Sequence, residues 1–288
     1  MPQLNATLAR AAVTSLFKKA GAPGAVLPAD RAVRAASPVP PGPLAAYREV
    51  CGFTGSGALP LTYPHVLGFP LTLGLMAARP FPLPVLGLVH TWIEITRHHP
   101  VHPADALELT VYAQELTPHR RGTEVTMATE ARRAGTLVWE SRSGYLSRHA
   151  RSAPAQDAPL APSPAAELPA VAEWRLPGDL GRRYGAASGD RNPIHLYPLT
   201  ARLFGFPRPI AHGMWTVARC LAQTPYPERV HHVRADFRAP VLLPAAVTYA
   251  ADDTGFQLRG TTGRVHLTGR MRRAPGPGTP EAARNGRS

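Results

Sequence analysis

Residues 151–170, RSAPAQDAPLAPSPAAELPA, constrain this chain more than any other stretch. Five prolines stand there among alanines, serines and charges. Proline fixes φ and removes a backbone donor, so the run reads as a semi-stiff exposed linker and not as a core element. It divides the chain in two, and 288 residues suffice for one large domain or for two of roughly 120. A hydrophobic content of 44% supports a real core and argues against global disorder.

The two parts follow one plan. Residues 21–43, rich in Pro, Ala and Gly, read as an irregular lead-in. A short helix is predicted at Ala45–Cys51, and Pro64 suits the first turn of an apolar helix running to about Ala78. Pro70 is expected to kink or divide that helix. Strands follow. A β-rich run lies in Val85–Arg97. Leu107, Leu109, Val111 and Ala113 then alternate with Glu108, Thr110, Tyr112 and Gln114, the period of a half-buried strand. Gly122 and Ala134-Gly135 mark turns before Val125–Ala131 and Leu137–Leu146. After the linker come helices, then predicted strands at Val230–Arg238, Val247–Asp252, Phe256–Arg259 and Arg264–Met271. A faint repeat is visible. Pro100-Val101 follows the first strand of one part, and Pro240-Val241 follows the first strand of the other. The expected organisation is an extension at 1–43, a unit at 44–150, the linker at 151–170, a second unit at 171–273 and a disordered tail at 274–288.

Several classes are excluded on composition and pattern. Cys51 and Cys220 make no disulfide framework and read as buried reduced thiols of a cytoplasmic protein. No charged head with a continuous apolar run marks a secretory leader, and no stretch approaches 18 apolar residues, so no stable membrane insertion is expected. Residues 4–20 suit an amphipathic helix, read as packed on the domain or frayed. His98, His99 and His102 are separated by Pro100 and Pro103, and His231-His232 stand without a nearby Cys. No metal site is expected from them. No GxSxG, GxGxxG or Walker pattern occurs.

The chemistry concentrates in residues 184–222, YGAASGDRNPIHLYPLTARLFGFPRPIAHGMWTVARCLA. Asp190 and His195 lie five residues apart in a loop-like stretch. Gly189 permits a positive φ, and Asn192-Pro193 turns the chain away from helix. A short helix is predicted from Pro198, ended by Gly205-Phe206-Pro207. A second, apolar helix is predicted from about Ala211 to Ala222. Gly213 falls near its start, where unpaired N–H groups and the dipole favour an oxyanion. An acid/base pair beside an anion site is what acyl-thioester chemistry needs. Asn192 reads as a loop-shaping residue. Tyr184 is either a hydrogen-bonding neighbour or a core aromatic. His212 reads as a helix-start or packing residue, and Met214 and Trp215 as core or acyl-tunnel lining.

Ser188-Gly189-Asp190-x-Asn192-Pro193-Ile194-His195, with Gly205-Phe206 and Ile210-Ala211-His212-Gly213-Met214, closely resembles the signature of the MaoC-like (R)-specific enoyl-thioester hydratases and dehydratases. Over residues 40–270 the chain resembles the double-hotdog members of that family. The resemblance implies an α+β fold, a double hotdog in which two helix-wrapping antiparallel sheets join into one continuous sheet. It implies reversible dehydration of (R)-3-hydroxyacyl thioesters to trans-2-enoyl thioesters. Asp190 and His195 would be the catalytic pair and the Gly213 N–H the oxyanion donor, with Asn192, Met214 and Tyr184 lining the substrate. His195 would activate water and Asp190 would serve Cα, as a coupled pair. No metal or redox cofactor is implied. Coenzyme A or acyl carrier protein would be the substrate handle, and a monomer or a homodimer are both open.

A net charge of +13 attracts polyanions. Both carriers fit it, and no nucleic-acid-binding motif accompanies it, so nucleic acid is not expected as a partner. The first unit lacks the acid/base signature. It either makes room for a long acyl chain or completes the sheet as a partner subunit would. The competing functional classes are a non-catalytic hotdog subunit or acyl-binding protein, and a hotdog thioesterase.

Overall fold

The computed structural model describes residues 15, 18, 24–55, 57–150 and 168–274. Alternating strands and turn residues give ten strands, each paired antiparallel with its neighbours in one sheet. In the first part, β1 (Arg31–Ser37) precedes helices α1 (Pro41–Cys51) and α2 (Tyr63–Ala77). The strands β2 (Val89–Arg97), β3 (Leu107–His119), β4 (Gly122–Arg133) and β5 (Thr136–Arg148) follow. In the second part, β6 (Ala170–Leu176) precedes α3 (Leu180–Ser188), a 3-10 turn (Pro193–His195), α4 (Pro198–Leu203) and α5 (Gly213–Gln223). A second 3-10 turn (Pro227–Arg229) then leads to β7 (Val230–Phe237), β8 (Ala245–Ala251), β9 (Gly255–Gly260) and β10 (Val265–Arg273).

The spatial order is β1-β3-β4-β5-β2-β7-β10-β9-β8-β6. Read outward from the centre, one half runs β2, β5, β4, β3, β1 and the other β7, β10, β9, β8, β6. Each strand has its counterpart five places later in the chain. The fold is therefore a double hotdog, with the two units joined edge to edge through β2 and β7. At that joint Ile93 pairs with Ala235 and Ile95 with Val233, all four fully buried. One core runs through both units, from Tyr47, Tyr63 and Trp139 to Trp215, Val233 and Phe256.

The faint Pro-Val repeat marks equivalent places in the two units. Val101 O accepts the N–H of Leu59 at 2.8 Å, just before α2, and Val241 O accepts that of Ala211 at 2.9 Å, just before α5. The helices α1 and α3 also correspond. Each ends on a left-handed glycine, Gly52 and Gly189, with φ of 81° in both. The next residue is Phe53 in one unit and Asp190 in the other, so the same backbone device carries no carboxyl group in the first unit.

Five details depart from the sequence-based expectations. Residues 31–37, read as irregular lead-in, form the edge strand β1 against β3. That strand has no apolar stripe, and β3 supplies its order through backbone pairing. Ala170, read as the end of the linker, opens β6 on the opposite edge. The strand read from Val85 is β2 and begins at Val89, because Val85–Leu88 close a turn through Leu88 N–H to Val85 O. Pro70 lies inside α2 without dividing it and faces solvent. The helix read at 45–51 gains a further turn from Pro41, where proline suits the first helical positions.

Of the expected N-terminal helix only Ser15 and Lys18 are described. The Lys18 ammonium donates to the Met76 and Ala78 carbonyls at the end of α2, where a cation is favoured. The linker up to residue 167 and the tail from 275 lie outside the described residues. Among the described residues no helix is long and apolar enough to cross a membrane. Both cysteines are buried free thiols.

Candidate active site

The loop carrying Asp190 and His195 is built by its own short-range bonds. The C-terminal turn of α3 closes through Gly189 N–H to Gly185 O. Ser188 Oγ donates to Tyr184 O at 2.8 Å and accepts from the Asp190 N–H at 3.2 Å. Asp190 Oδ1 accepts the Asn192 N–H at 3.1 Å, and Asn192 Oδ1 accepts the Ile194 N–H at 3.4 Å. Asn192 thus shapes the loop, as Asx side chains do. The turn then packs directly on α3. A Cβ at Gly181 would stand 1.9 Å from His195 O, and one at Gly185 2.8 Å from Asp190 O, so these two helical positions admit no side chain.

His195 is 7% exposed, and its Nδ1 lies 2.8 Å from Ile210 O. A carbonyl only accepts, so Nδ1 carries the proton and Nε2 presents a lone pair. Ile210 is itself fixed by its N–H to Ile194 O and by bridging to Leu242. Burial lowers the His195 pKa, opposed by Asp190 and by the Ile210 carbonyl. Burial raises the Asp190 pKa, opposed by His195 and by the Asn192 N–H. The Asp190 side chain is 25% exposed, and it is the solvent-facing member of the group.

His212 enters this group, although its sequence position reads only as helix start or packing. It is the residue before α5 and is 2% exposed. Its Nε2 donates to Asp190 O at 3.0 Å, and Asp190 Oδ2 stands 3.9 Å away. Its ring stacks on His195 with centroids 3.6 Å apart and planes 26° off parallel. Tyr184 packs on it, with centroids 4.8 Å apart. Tyr184 is itself 2% exposed, so it braces the imidazoles from within the core. Burial, then the neighbouring His195, holds the His212 pKa well below the ordinary imidazole value.

Gly213 opens α5, and its N–H has no acceptor within the helix. A Cβ there would stand 2.8 Å from the Phe237 ring, so only glycine lets the helix start lie against β7. Met214, in the same turn, is buried in the common core. The first unit also reaches this point. His90 of β2 lies 4.7 Å from Phe237 and 4.6 Å from Tyr145 of β5, ring centre to ring centre. Burial, and after it the nearby Asp190 charge, raises the Tyr145 pKa. Sequence reasoning did not single out His90 and Tyr145. Neither belongs to a motif, and their place depends on the β2–β7 joint.

One nitrogen or oxygen each of Asp190, His195 and His212 lie within 4.8 Å of one another. The trio is the candidate set of ion ligands among the described residues. His195 Nδ1 and His212 Nε2 are turned to carbonyls, which leaves one lone pair per imidazole. Of the histidines considered from sequence, His98 pairs with Glu140 at 2.9 Å and His232 with Glu94 at 3.5 Å. The arrangement as it stands is a proton-handling group. It combines a neutral imidazole with a free Nε2, a carboxyl group whose burial favours the proton, and a backbone N–H at a helix start.

Residues 166–270 match the family model described as MaoC like domain. The chain is 38% identical over 248 residues to 3-hydroxyacyl-thioester dehydratase X of Mycobacterium tuberculosis, covering 82% of this chain and 86% of that one. It superposes on the crystal structure of HtdX of M. tuberculosis with a TM-score of 0.72 and 34% identity, over 85% of this chain and 100% of that one. A MaoC-like dehydratase from Phytophthora capsici shares the fold, with a TM-score of 0.72 at 19% identity over 87% of this chain and 97% of that one.

Proposed function

The chain belongs to the MaoC-like dehydratase family, and on that premise we propose that it interconverts (R)-3-hydroxyacyl thioesters and trans-2-enoyl thioesters, with Asp190, His195 and the Gly213 N–H doing the chemistry. The observation that carries this reading is the free Nε2 of His195 beside a carboxyl group of raised pKa and a helix-start N–H.

In the hydration direction, water sits between His195 and Asp190. His195 Nε2 takes a proton as the water oxygen bonds to Cβ. The π electrons move onto the thioester oxygen, where the Gly213 N–H stabilises the negative charge. The enolate collapses as Cα takes the proton of Asp190. Transfer of a proton from imidazolium to carboxylate resets the pair. Dehydration is the same path reversed. Acid/base catalysis supplies roughly 10²–10⁴-fold and an oxyanion donor roughly 10²–10³. These steps use no metal or redox group. The thioester is carried by coenzyme A or by acyl carrier protein. Asn192 holds the loop, and Met214 and Tyr184 form the wall behind it.

The test follows the enoyl absorbance of crotonyl-CoA and of a longer trans-2-enoyl-CoA. Wild type should remove it without releasing thiol and give the (R)-alcohol. Asp190→Asn and His195→Gln should each lose roughly 10²–10⁴ in kcat while remaining folded. Thiol release would instead make it a thioesterase. Silence on both coenzyme A and carrier-protein thioesters would make it a non-catalytic subunit.

A further inference from the structure

Helix α4 lies on the turn that carries His195. Thr200 Oγ1 donates to Pro193 O at 2.7 Å, and Ala201 is fully buried beneath it. Its outer face is apolar. Tyr197, Leu199, Leu203 and Phe204 are 54%, 72%, 78% and 37% exposed. They are four of the nine large hydrophobic residues exposed among the described residues, within eight consecutive positions. Contiguous exposed apolar surface of this kind marks an interaction site.

The segment that carries it is basic. Residues 180–209 contain five arginines, at 182, 183, 191, 202 and 208, all exposed, and one acid, Asp190, which belongs to the site. Three of these guanidiniums are held near α4 by backbone carbonyls. Arg182 donates to Leu196 O and lies against the Tyr197 ring, Arg202 donates to Pro207 O, and Arg208 to Pro244 O. Among the described residues none of the five forms an ion pair with a carboxylate.

We propose that this face, an apolar knuckle ringed by arginines beside the His195 turn, is the docking surface for an acidic acyl carrier protein that delivers the thioester. The inference rests on the thioester reading above and adds the carrier to it. Two alternatives fit the surface less well. A second copy of this chain would bring the same patch onto itself in a two-fold dimer, setting arginine against arginine. Coenzyme A phosphates would satisfy the guanidiniums but give the exposed leucines and Phe204 nothing to bury against. An acidic protein helix answers both the charge and the apolar face.

The experiment compares one trans-2-enoyl chain presented on carrier protein and on coenzyme A. The proteins are wild type, Arg202→Glu/Arg208→Glu and Leu199→Ser/Leu203→Ser, all changed at exposed positions. Binding of holo acyl carrier protein is measured separately by calorimetry at low and high salt. Each double variant should lose about tenfold or more in kcat/KM on the carrier-protein thioester, with the loss in KM, and stay within about twofold on the coenzyme A thioester. Carrier binding should weaken by a similar factor in both variants, and in wild type it should weaken with salt. Equal losses on both substrates, no loss on either, or no carrier binding by wild type would overturn the proposal. So would a wild-type dimer, seen by light scattering, that the leucine pair dissociates. If wild type binds carrier protein through this patch yet turns over neither thioester, the docking surface stands and the proposed reaction falls.

Discussion

Asp190 is held in a place that favours its neutral form, and this has a consequence for stability. Its folded pKa lies above the ordinary 3.8 because burial outweighs His195 and the Asn192 N–H. The native state therefore binds this proton more tightly than the unfolded chain does. Stability from the group is greatest below the unfolded pKa and is lost as pH rises through the folded one. As pH rises past the unfolded pKa, the unfolded chain gives up this proton first, and the native state loses stability relative to it. Asp190→Asn should raise Tm at pH 7 while costing roughly 10²–10⁴ in kcat, and the gain should vanish below about pH 4. Thermal melts across pH check this, and a gain that persists in acid would refute the assignment. His212 touches the pair without a place for substrate of its own. Its bond to Asp190 O and its stack on His195 make it a positioning residue. His212→Ala should lower kcat roughly 10–100-fold with KM little changed, and His212→Gln, which keeps a donor, should recover part of it. A loss confined to KM, or no rescue by glutamine, would argue against positioning.

The close approach of helices to strands sets the shape of each unit. In the first, α2 lies so near the sheet that a Cβ at Gly68 would stand 2.9 Å from Thr129 Cγ2 and 3.6 Å from Val111 Cγ2. Those two residues face each other across β3 and β4. Gly68→Val overfills this contact and should destabilise the protein by about 1–3 kcal/mol. A midpoint of thermal unfolding equal to wild type would show that α2 can lift away freely. In the second unit the same closeness serves the site, through Gly181 and Gly185 of α3 and Gly213 of α5. The spacing of Gly181 and Gly185 puts both on one helical face, and that four-residue interval is visible in the sequence. What it meets, the backbone of His195 and Asp190, is not.

The two units share a sheet and a core, so they should not unfold apart. Ile93, Ile95, Val233 and Ala235 fill the joint, and Glu94 pairs across it with Arg234 at 3.7 Å while Arg234 lies 3.8 Å over the Trp92 ring. Calorimetry should give one transition whose calorimetric and van't Hoff enthalpies agree. Two resolved transitions would mean that the linker, and not the β2–β7 joint, is what holds the molecule together. The joint also explains why the first unit borders the chemistry without carrying it. Its His90 and Tyr145 reach Phe237 and the field of Asp190 across the seam.

Local chemistry decided what the sequence could decide. Alternation at Leu107–Ala113, the apolar run after Pro64, the proline-rich linker and the loop of Asp190, Asn192 and His195 each depend on neighbours within a few residues. All but the linker, which lies outside the described residues up to 167, appear in the structure. The edge strand β1 carries no pattern of its own, because a strand without an apolar stripe takes its order from its partner's backbone, whereas β6 does alternate, with Ala172, Trp174 and Leu176 packed on the core. The stacking of His212 on His195, the lone pair left on His195 Nε2 and the nearness of Tyr145 and His90 come from groups 15 to more than 100 positions apart. Only the tertiary structure brings these together, by folding α5 and β7 onto the catalytic loop and joining β2 to β7.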